Sequence, residues 1–249
     1  AAEKIRAAGK MKYPYAAAYK AGWNLAEEFV NMYIGHGGEF FEAGSAKPSI
    51  NNAKGVATLN MLKKLADLSN PDYLTHDSEA IKVEWESGNV AIMTLWASRS
   101  GTLLDDEGDA KITAATKLVA PATVGGGNIP AATLWWDGFT LAKNRSDADA
   151  EASFRAMAHA ASSKEMVAKA ADQAVWLVEG FVPGPKSVGV IEAVKMGAKP
   201  YPMLPQMGLM HGALGNEIVE FLQGNETAEQ ALKDVEAAYN TKAKEQGFL

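Results

Sequence analysis

Trp85-Glu86-Ser87-Gly88-Asn89-Val90-Ala91-Ile92-Met93-Thr94-Leu95-Trp96 changes its structural period twice within a few residues. Asp77 to Ser87 reads as a short helix, and Gly88 ends it. Val90 to Leu95 then forms an apolar run that does not alternate, which predicts a strand buried on both faces. Trp96 stands immediately after that strand. In open α/β sheets, ligands occupy the crevice beyond the carboxyl ends of the strands, so this indole sits where a contact residue belongs. An indole offers a flat apolar face and one N–H donor, which suits the C–H face of a pyranose ring. The other reading is a core tryptophan. Ser98, Arg99 and Ser100 follow and are expected to place polar groups around the aromatic plate.

Upstream, Leu25, Phe29, Met32 and Tyr33 recur at helical spacing over 21–35, and Gly37-Gly38 stops the segment. From Ile50 to Leu68, Ile50, Ala53, Val56, Leu59, Leu62 and Leu65 make one apolar stripe opposite Lys54, Lys63 and Lys64. The chain opens Ala1-Ala2-Glu3-Lys4-Ile5-Arg6-Ala7-Ala8-Gly9, which reads as the last turns of a helix capped by Gly9, so further sequence is expected ahead of it.

Downstream, Ile112 to Val119 reads as a strand closed by Pro121, and Leu134 to Ala142 as another, with the breakers of 121–130 between them. Helices are predicted from Ser146 with Asp149 and from Ser162 with Glu165. Prolines 183, 185, 200, 202 and 205 make 182–205 an irregular crossing with one short helix at 187–196. Gly212 to Leu222 and Thr227 to Gln246 complete the helices, the latter opening with the capping box Thr227-x-x-Gln230. Strands separated by helices imply an α/β sheet, and the breaker-rich stretches 121–136 and 182–205 are the places for the chain to pass between two lobes.

Composition narrows the function. The net charge is −6 and the 24 basic residues are scattered, which argues against nucleic acid as a partner. No cysteine is present, so disulfides, thiol catalysis and cysteine-bound metal are excluded. The four histidines lack metal-ligand spacing, and no HExxH, GxSxG, GxGxxG or P-loop pattern occurs, so neither a metal nor a cofactor is expected. Glu84 and Glu86 lie two residues apart on a helix and point in different directions, which speaks against a glycosidase pair.

Other candidates each carry two readings. In Trp135-Trp136-Asp137-Gly138, at most one of two adjacent indoles faces a given cleft, and Asp137 either accepts two sugar hydroxyls or caps a turn. Trp23-Asn24 opens the helix at 21–35, as a cleft-facing pair or as a staple on the core. His211 either donates to a ligand hydroxyl or is a surface or capping residue. Met207 and Met210 read as packing.

The ordered features resemble the bacterial extracellular solute-binding proteins of carbohydrate ABC importers, a maltose-binding-protein-like family. The resemblance rests on the helix ending in Gly-Gly, the stripe to Leu68, and a pattern Trp85-x-x-Gly88 leading through Ala91-Ile92-Met93 to Trp96. It continues with Val119-Ala120-Pro121-Ala122, Asp137-Gly138-Phe139-Thr140-Leu141-Ala142-Lys143 and Ser162-Ser163-Lys164-Glu165-Met166. Pro205-Gln206-Met207 and Leu222-Gln223-Gly224 through Leu232 complete it. It implies a two-lobed periplasmic-binding-protein fold of type II that closes on a sugar by hinge motion. Residues 1–133 and 184–249 would be most of the C-terminal lobe, and 134–183 a returning part of the N-terminal lobe whose remainder lies upstream. It also implies ligand contacts at Trp96, Asp137 and His211, and more loosely at Trp23 and Trp136. Apart from the resemblance, no arginine cluster offers itself to a carboxylate or phosphate, which favours a neutral hydroxyl-rich ligand, with Arg99 the one exception. The expected partners are a carbohydrate and an ABC transporter permease, for a monomer without catalysis, periplasmic or extracellular, with a lipid anchor as one form of attachment. A polyol, an amino-sugar or another small organic solute on the same scaffold is the first alternative. A glycan-processing enzyme or a sensor presenting sugar to a membrane kinase are the others.

Overall fold

The computed structural model describes residues 1–105 and 108–249. The chain runs α1 (Ala2–Ala7), β1 (Tyr15–Ala16), α2 (Trp23–Gly35), α3 (Ala53–Ala66), α4 (Ser78–Glu86), β2 (Ile92–Met93), α5 (Ala97–Ser100) and α6 (Ala110–Ala115). It continues through β3 (Thr133–Leu134), α7 (Asp147–Ser162), α8 (Lys164–Lys169), α9 (Val188–Lys195), β4 (Lys199–Pro200), α10 (Met207–Glu217), α11 (Val219–Gln223) and α12 (Ala228–Glu245).

Two of the expected start signals act where the sequence places them, Ser146 capping α7 and Thr227 capping α12. Asn52, Asp77 and Thr227 cap α3, α4 and α12 with side-chain oxygens on free backbone N–H groups. The capping box of α12 is only half made, because the Gln230 side chain turns to Asp234 at 2.9 Å. Ser163 rather than Ser162 caps α8.

The larger of two buried clusters lies among the helices. Leu25, Phe29 and Tyr33 of α2, Leu59 and Leu62 of α3, Met210 and Leu214 of α10, and Leu232, Val235 and Tyr239 of α12 are fully buried in a single cluster. Glu236 on α12 ties these layers further, its Oε1 accepting the N–H groups of Ile50 at 3.0 Å and Asn51 at 2.9 Å just ahead of α3.

The strands are shorter than their apolar runs. β1 pairs with β2 in parallel, Tyr15 opposite Ile92 and Ala16 opposite Met93, and β3 pairs with β4 in parallel, Thr133 opposite Lys199. Among the described residues, the run 90–95 finds a partner only on the side of Pro14 to Ala16, and its other side faces a cavity, so it is half-buried beyond Val90. Residues 112–119, expected as a strand, instead begin within α6: Asp109 caps it, and its alanine-rich sequence favours the helix. The strand expected over 134–142 ends at Leu134, and 135–144 is exposed. α10 begins at Met207, ahead of the expected Gly212, and breaks from α11 at Ile218. Helix α7 has no buried residue and leaves Phe154 exposed. No helix among the described residues is long and apolar enough to cross a membrane.

Candidate functional site

Four aromatic side chains from four parts of the chain meet at one place. Trp23 opens α2 after Gly22, whose φ of 95° only glycine adopts freely. Trp96 follows β2 and opens α5, Trp135 follows β3, and Tyr201 follows β4. Trp23 stacks on Trp96 with ring centres 5.5 Å apart and planes 30° apart. Trp135 lies 5.9 Å from each of them and 4.2 Å from Tyr201. Each member follows a strand end or starts a helix, so the backbone has turned toward the surface there and the rings stand half-exposed rather than in the core.

His211, on α10, fastens the cluster from behind. It is 4 % exposed, with Nδ1 2.9 Å from the Tyr201 hydroxyl and Nε2 3.0 Å from the Trp23 carbonyl. A carbonyl only accepts, so Nε2 carries the proton, and Nδ1 then accepts from Tyr201. Burial holds this imidazole below its ordinary pKa and keeps it neutral. Its ring is also 4.8 Å from that of Trp23.

Two cavities flank the rings. The smaller, about 230 Å³, is lined by Trp23, Tyr201, His211 and Asn216. The larger, about 600 Å³, is mostly apolar and extends from Trp96 beneath α2. Asn24, Glu27, Glu28, Asn31, Thr94 and Thr133 are among its polar lining residues. Glu27 is 3 % exposed and Glu28 half-buried. Burial pushes Glu27 up to about 7 and Glu28, aided by the Glu27 charge, to about 8.

The expected site residues divide. Trp23, Trp96 and His211 come together. Trp136 and Asp137 do not join them: Trp136 is 63 % exposed and folds over Gly138, and Asp137 is exposed. Alternation along an extended segment sends Trp135 to the same side as Thr133 and Trp136 to the other. The polar surround expected of Trp96 is not formed. Arg99 pairs with Glu79, and the Ser100 hydroxyl donates back to the Ala97 carbonyl at 3.1 Å, so the neighbours of Trp96 are aromatic.

Three contributors were not singled out in the sequence. Trp135 was legible only as one of two adjacent indoles. Tyr201 lies in the proline-rich crossing, where no periodicity marks a face. Glu27 follows Trp23 by four residues and precedes Asn31 by four, so the three share one face of α2, a polar stripe that would have flagged it.

Glu84 and Glu86 serve structural bonds. Asn70 donates to Glu84 at 2.6 Å, with His76 3.7 Å away, and Glu86 pairs with Lys82 at 3.5 Å. Among the described residues no group of three or more histidines or acids is placed to hold a metal ion.

No protein-family model matches the chain, and no curated protein matches it in sequence. Solved structures do match. Maltose-bound MalE3 of T. maritima aligns over 96 % of this chain and 63 % of its own, with a TM-score of 0.73 and 18 % identity. An ABC transporter solute-binding protein from Agrobacterium radiobacter K84, in complex with ribitol, aligns over 96 % of this chain and 62 % of its own, with a TM-score of 0.72 and 18 % identity. One from Agrobacterium vitis S4 with bound D-mannitol covers 99 % of this chain and 64 % of its own, with a TM-score of 0.68 and 16 % identity. The chain therefore has the periplasmic-binding-protein fold of type II, as in maltose-binding-protein-like structures, and spans less than two thirds of the length of the proteins it matches.

Proposed function

We propose that the protein binds a hydroxyl-rich solute, a sugar or oligosaccharide, against the Trp23, Trp96, Trp135 and Tyr201 cluster and delivers it to an ABC transporter permease. The observation that carries this reading is the cluster itself: three indoles and a phenol converge half-exposed where strands end or a helix starts. Flat apolar faces stack on the C–H surfaces of sugar rings, while N–H and O–H edges answer hydroxyls. The proteins of like fold named above support the class of ligand, since their bound molecules are maltose, ribitol and D-mannitol. A polyol on the same scaffold is the second reading, favoured by the ribitol and mannitol complexes.

In this reading 1–133 and 184–249 form most of one lobe, and 134–183 belongs to the other. The exposed Phe139, Phe154 and Leu177 suit a segment that packs elsewhere. Ligand held between lobes would favour the closed form, because only that form touches it from both sides, and the closed form is what a permease would select. The protein would work outside the cytoplasmic membrane as a monomer and without chemistry. Asp137 and Trp136 would serve from their exposed segment once the lobes close. The enzyme alternative has little support, because Glu84 and Glu86 are engaged elsewhere.

The test is tryptophan emission during titration with maltose, ribitol and D-mannitol. One class should shift the emission saturably, and Trp96→Ala should abolish the shift. An unaltered titration in that variant would overturn the assignment. Hydrolysis of nitrophenyl glycosides that is lost on changing Glu84 and Glu86 would establish the enzyme instead.

A further inference from the structure

Behind the exposed rings, a buried carboxyl holds one of them by its donor. Glu27 Oε1 lies 2.6 Å from the Thr133 hydroxyl and 3.3 Å from Trp135 Nε1, and that same indole N–H is 2.9 Å from Thr133 Oγ1. Thr133 Oγ1 is also 2.8 Å from Asn31 Oδ1. The second carboxyl oxygen, Oε2, is buried and has no partner among the described residues. We propose that Glu27 is a positioning residue for Trp135, and that its protonation state sets how firmly that indole is held in the aromatic cluster.

The hydrogen-bond inventory carries the argument. Thr133 has one proton and two acceptors within reach. When Glu27 is ionised, Oε1 takes the Thr133 proton and also accepts from the indole N–H, a charge-assisted contact. When Glu27 is protonated on Oε1, the carboxyl donates to Thr133 Oγ1, and Thr133 passes its own proton toward Asn31 Oδ1. The indole N–H then has only the Thr133 oxygen left to it. Asn31 Oδ1 thus receives the Thr133 proton only in the protonated state, and the two states differ in what grips Trp135. The unpartnered Oε2 penalises the ionised form, which brings the exchange between the two states near neutrality.

Other titratable groups face this network. Glu28 lies next in sequence on α2, the Tyr201 hydroxyl is pushed up by burial and by the Glu27 charge, and His211 reaches Tyr201. No lysine or arginine forms an ion pair with Glu27 among the described residues. Of these groups, Glu27 alone bonds the indole. The effect on ligand binding rests on the solute-binding reading above, whereas the hold on Trp135 does not.

The experiment separates the two. Tryptophan emission and acrylamide quenching are followed without ligand between about pH 5 and pH 9 for the protein and for Glu27→Gln, Glu28→Gln and His211→Asn. A step near pH 7 is expected in the protein, in Glu28→Gln and in His211→Asn. Glu27→Gln, which keeps an acceptor oxygen, should lack the step and hold Trp135 across the range about as shielded as the unaltered protein holds it near pH 8. Maltose affinity should be about three- to tenfold higher near pH 8 than near pH 6, and insensitive to pH in Glu27→Gln. A step that survives Glu27→Gln, or moves wholly with His211→Asn, overturns the proposal. Should maltose, ribitol and mannitol all fail to bind, the solute-binding reading falls, and the ligand-free step still decides the role of Glu27.

Discussion

The backbones of Gly22 and Gly215 are in contact. The Gly22 N–H donates to the Gly215 carbonyl at 2.9 Å, and a Cβ on Gly215 would collide with the Gly22 carbonyl. This approach seats the start of α2 against α10, and with it Trp23 against His211.

Substituting Gly215→Ala should therefore destabilise the fold by about 1–3 kcal/mol, because the obstruction is backbone and not a flexible side chain. Gly212→Ala, on the same helix, meets nothing within 4 Å and should be neutral or stabilising by about 0.4–1 kcal/mol. Urea denaturation of the two variants checks the contrast, and equal midpoints would count against the close packing.

Tyr201 contributes to the site through its ring and its hydroxyl separately. Tyr201→Phe keeps the ring on Trp135 and loses the bond to His211 Nδ1, so affinity for a bound solute should fall by about 0.5–1.5 kcal/mol. Tyr201→Ala should cost distinctly more. Isothermal titration with whichever of maltose, ribitol or mannitol binds reads both, and equal losses would show that the ring contributes nothing.

Stability should fall as pH rises toward and past neutrality. Glu27 and Glu28 hold protons more tightly in the folded chain, near 7 and 8, than at their ordinary value of 4.5. Their contribution is therefore fully present below pH 4.5 and is lost as pH rises through those higher values. For Glu27 the change amounts to about 3 kcal/mol. Glu27→Gln should flatten the decline between about pH 5 and pH 8, measured by denaturant midpoints. A slope unchanged in that variant would remove Glu27 as its source.

Glu236 joins α12 to the entrance of α3 by two backbone bonds to one oxygen. Glu236→Ala leaves the Ile50 and Asn51 N–H groups without that acceptor and should cost about 1–3 kcal/mol. Glu236→Gln, which keeps an oxygen, should cost less. Thermal denaturation distinguishes the two.

Helices were legible in the sequence because each carries its own signal. The stripe at Leu59 and Leu62 and the caps at Ser146 and Thr227 are local, and the structure uses them as written. Strand length was not, because it depends on a neighbour: 90–95 has the apolar run of a central strand but, among the described residues, pairs on one side only. The run 112–119 shows the converse, with Asp109 capping a helix where its hydrophobic residues suggested a strand. At the site, Trp23, Trp96 and His211 were marked by position at element ends. The choice of Trp135 over Trp136 turns on the register of one extended segment, and Tyr201 joins through the parallel pairing of β3 with β4, which no local pattern announces.

The stacking of Trp23 on Trp96 at 5.5 Å, with Trp135 across both, also has an optical consequence. Indole transitions at such separations couple, and fixed coupled rings give strong near-ultraviolet circular dichroism that vanishes when their packing loosens. The site is thus its own gauge. Anything inserted between the plates must part the indoles, and the ellipticity would record it without a label.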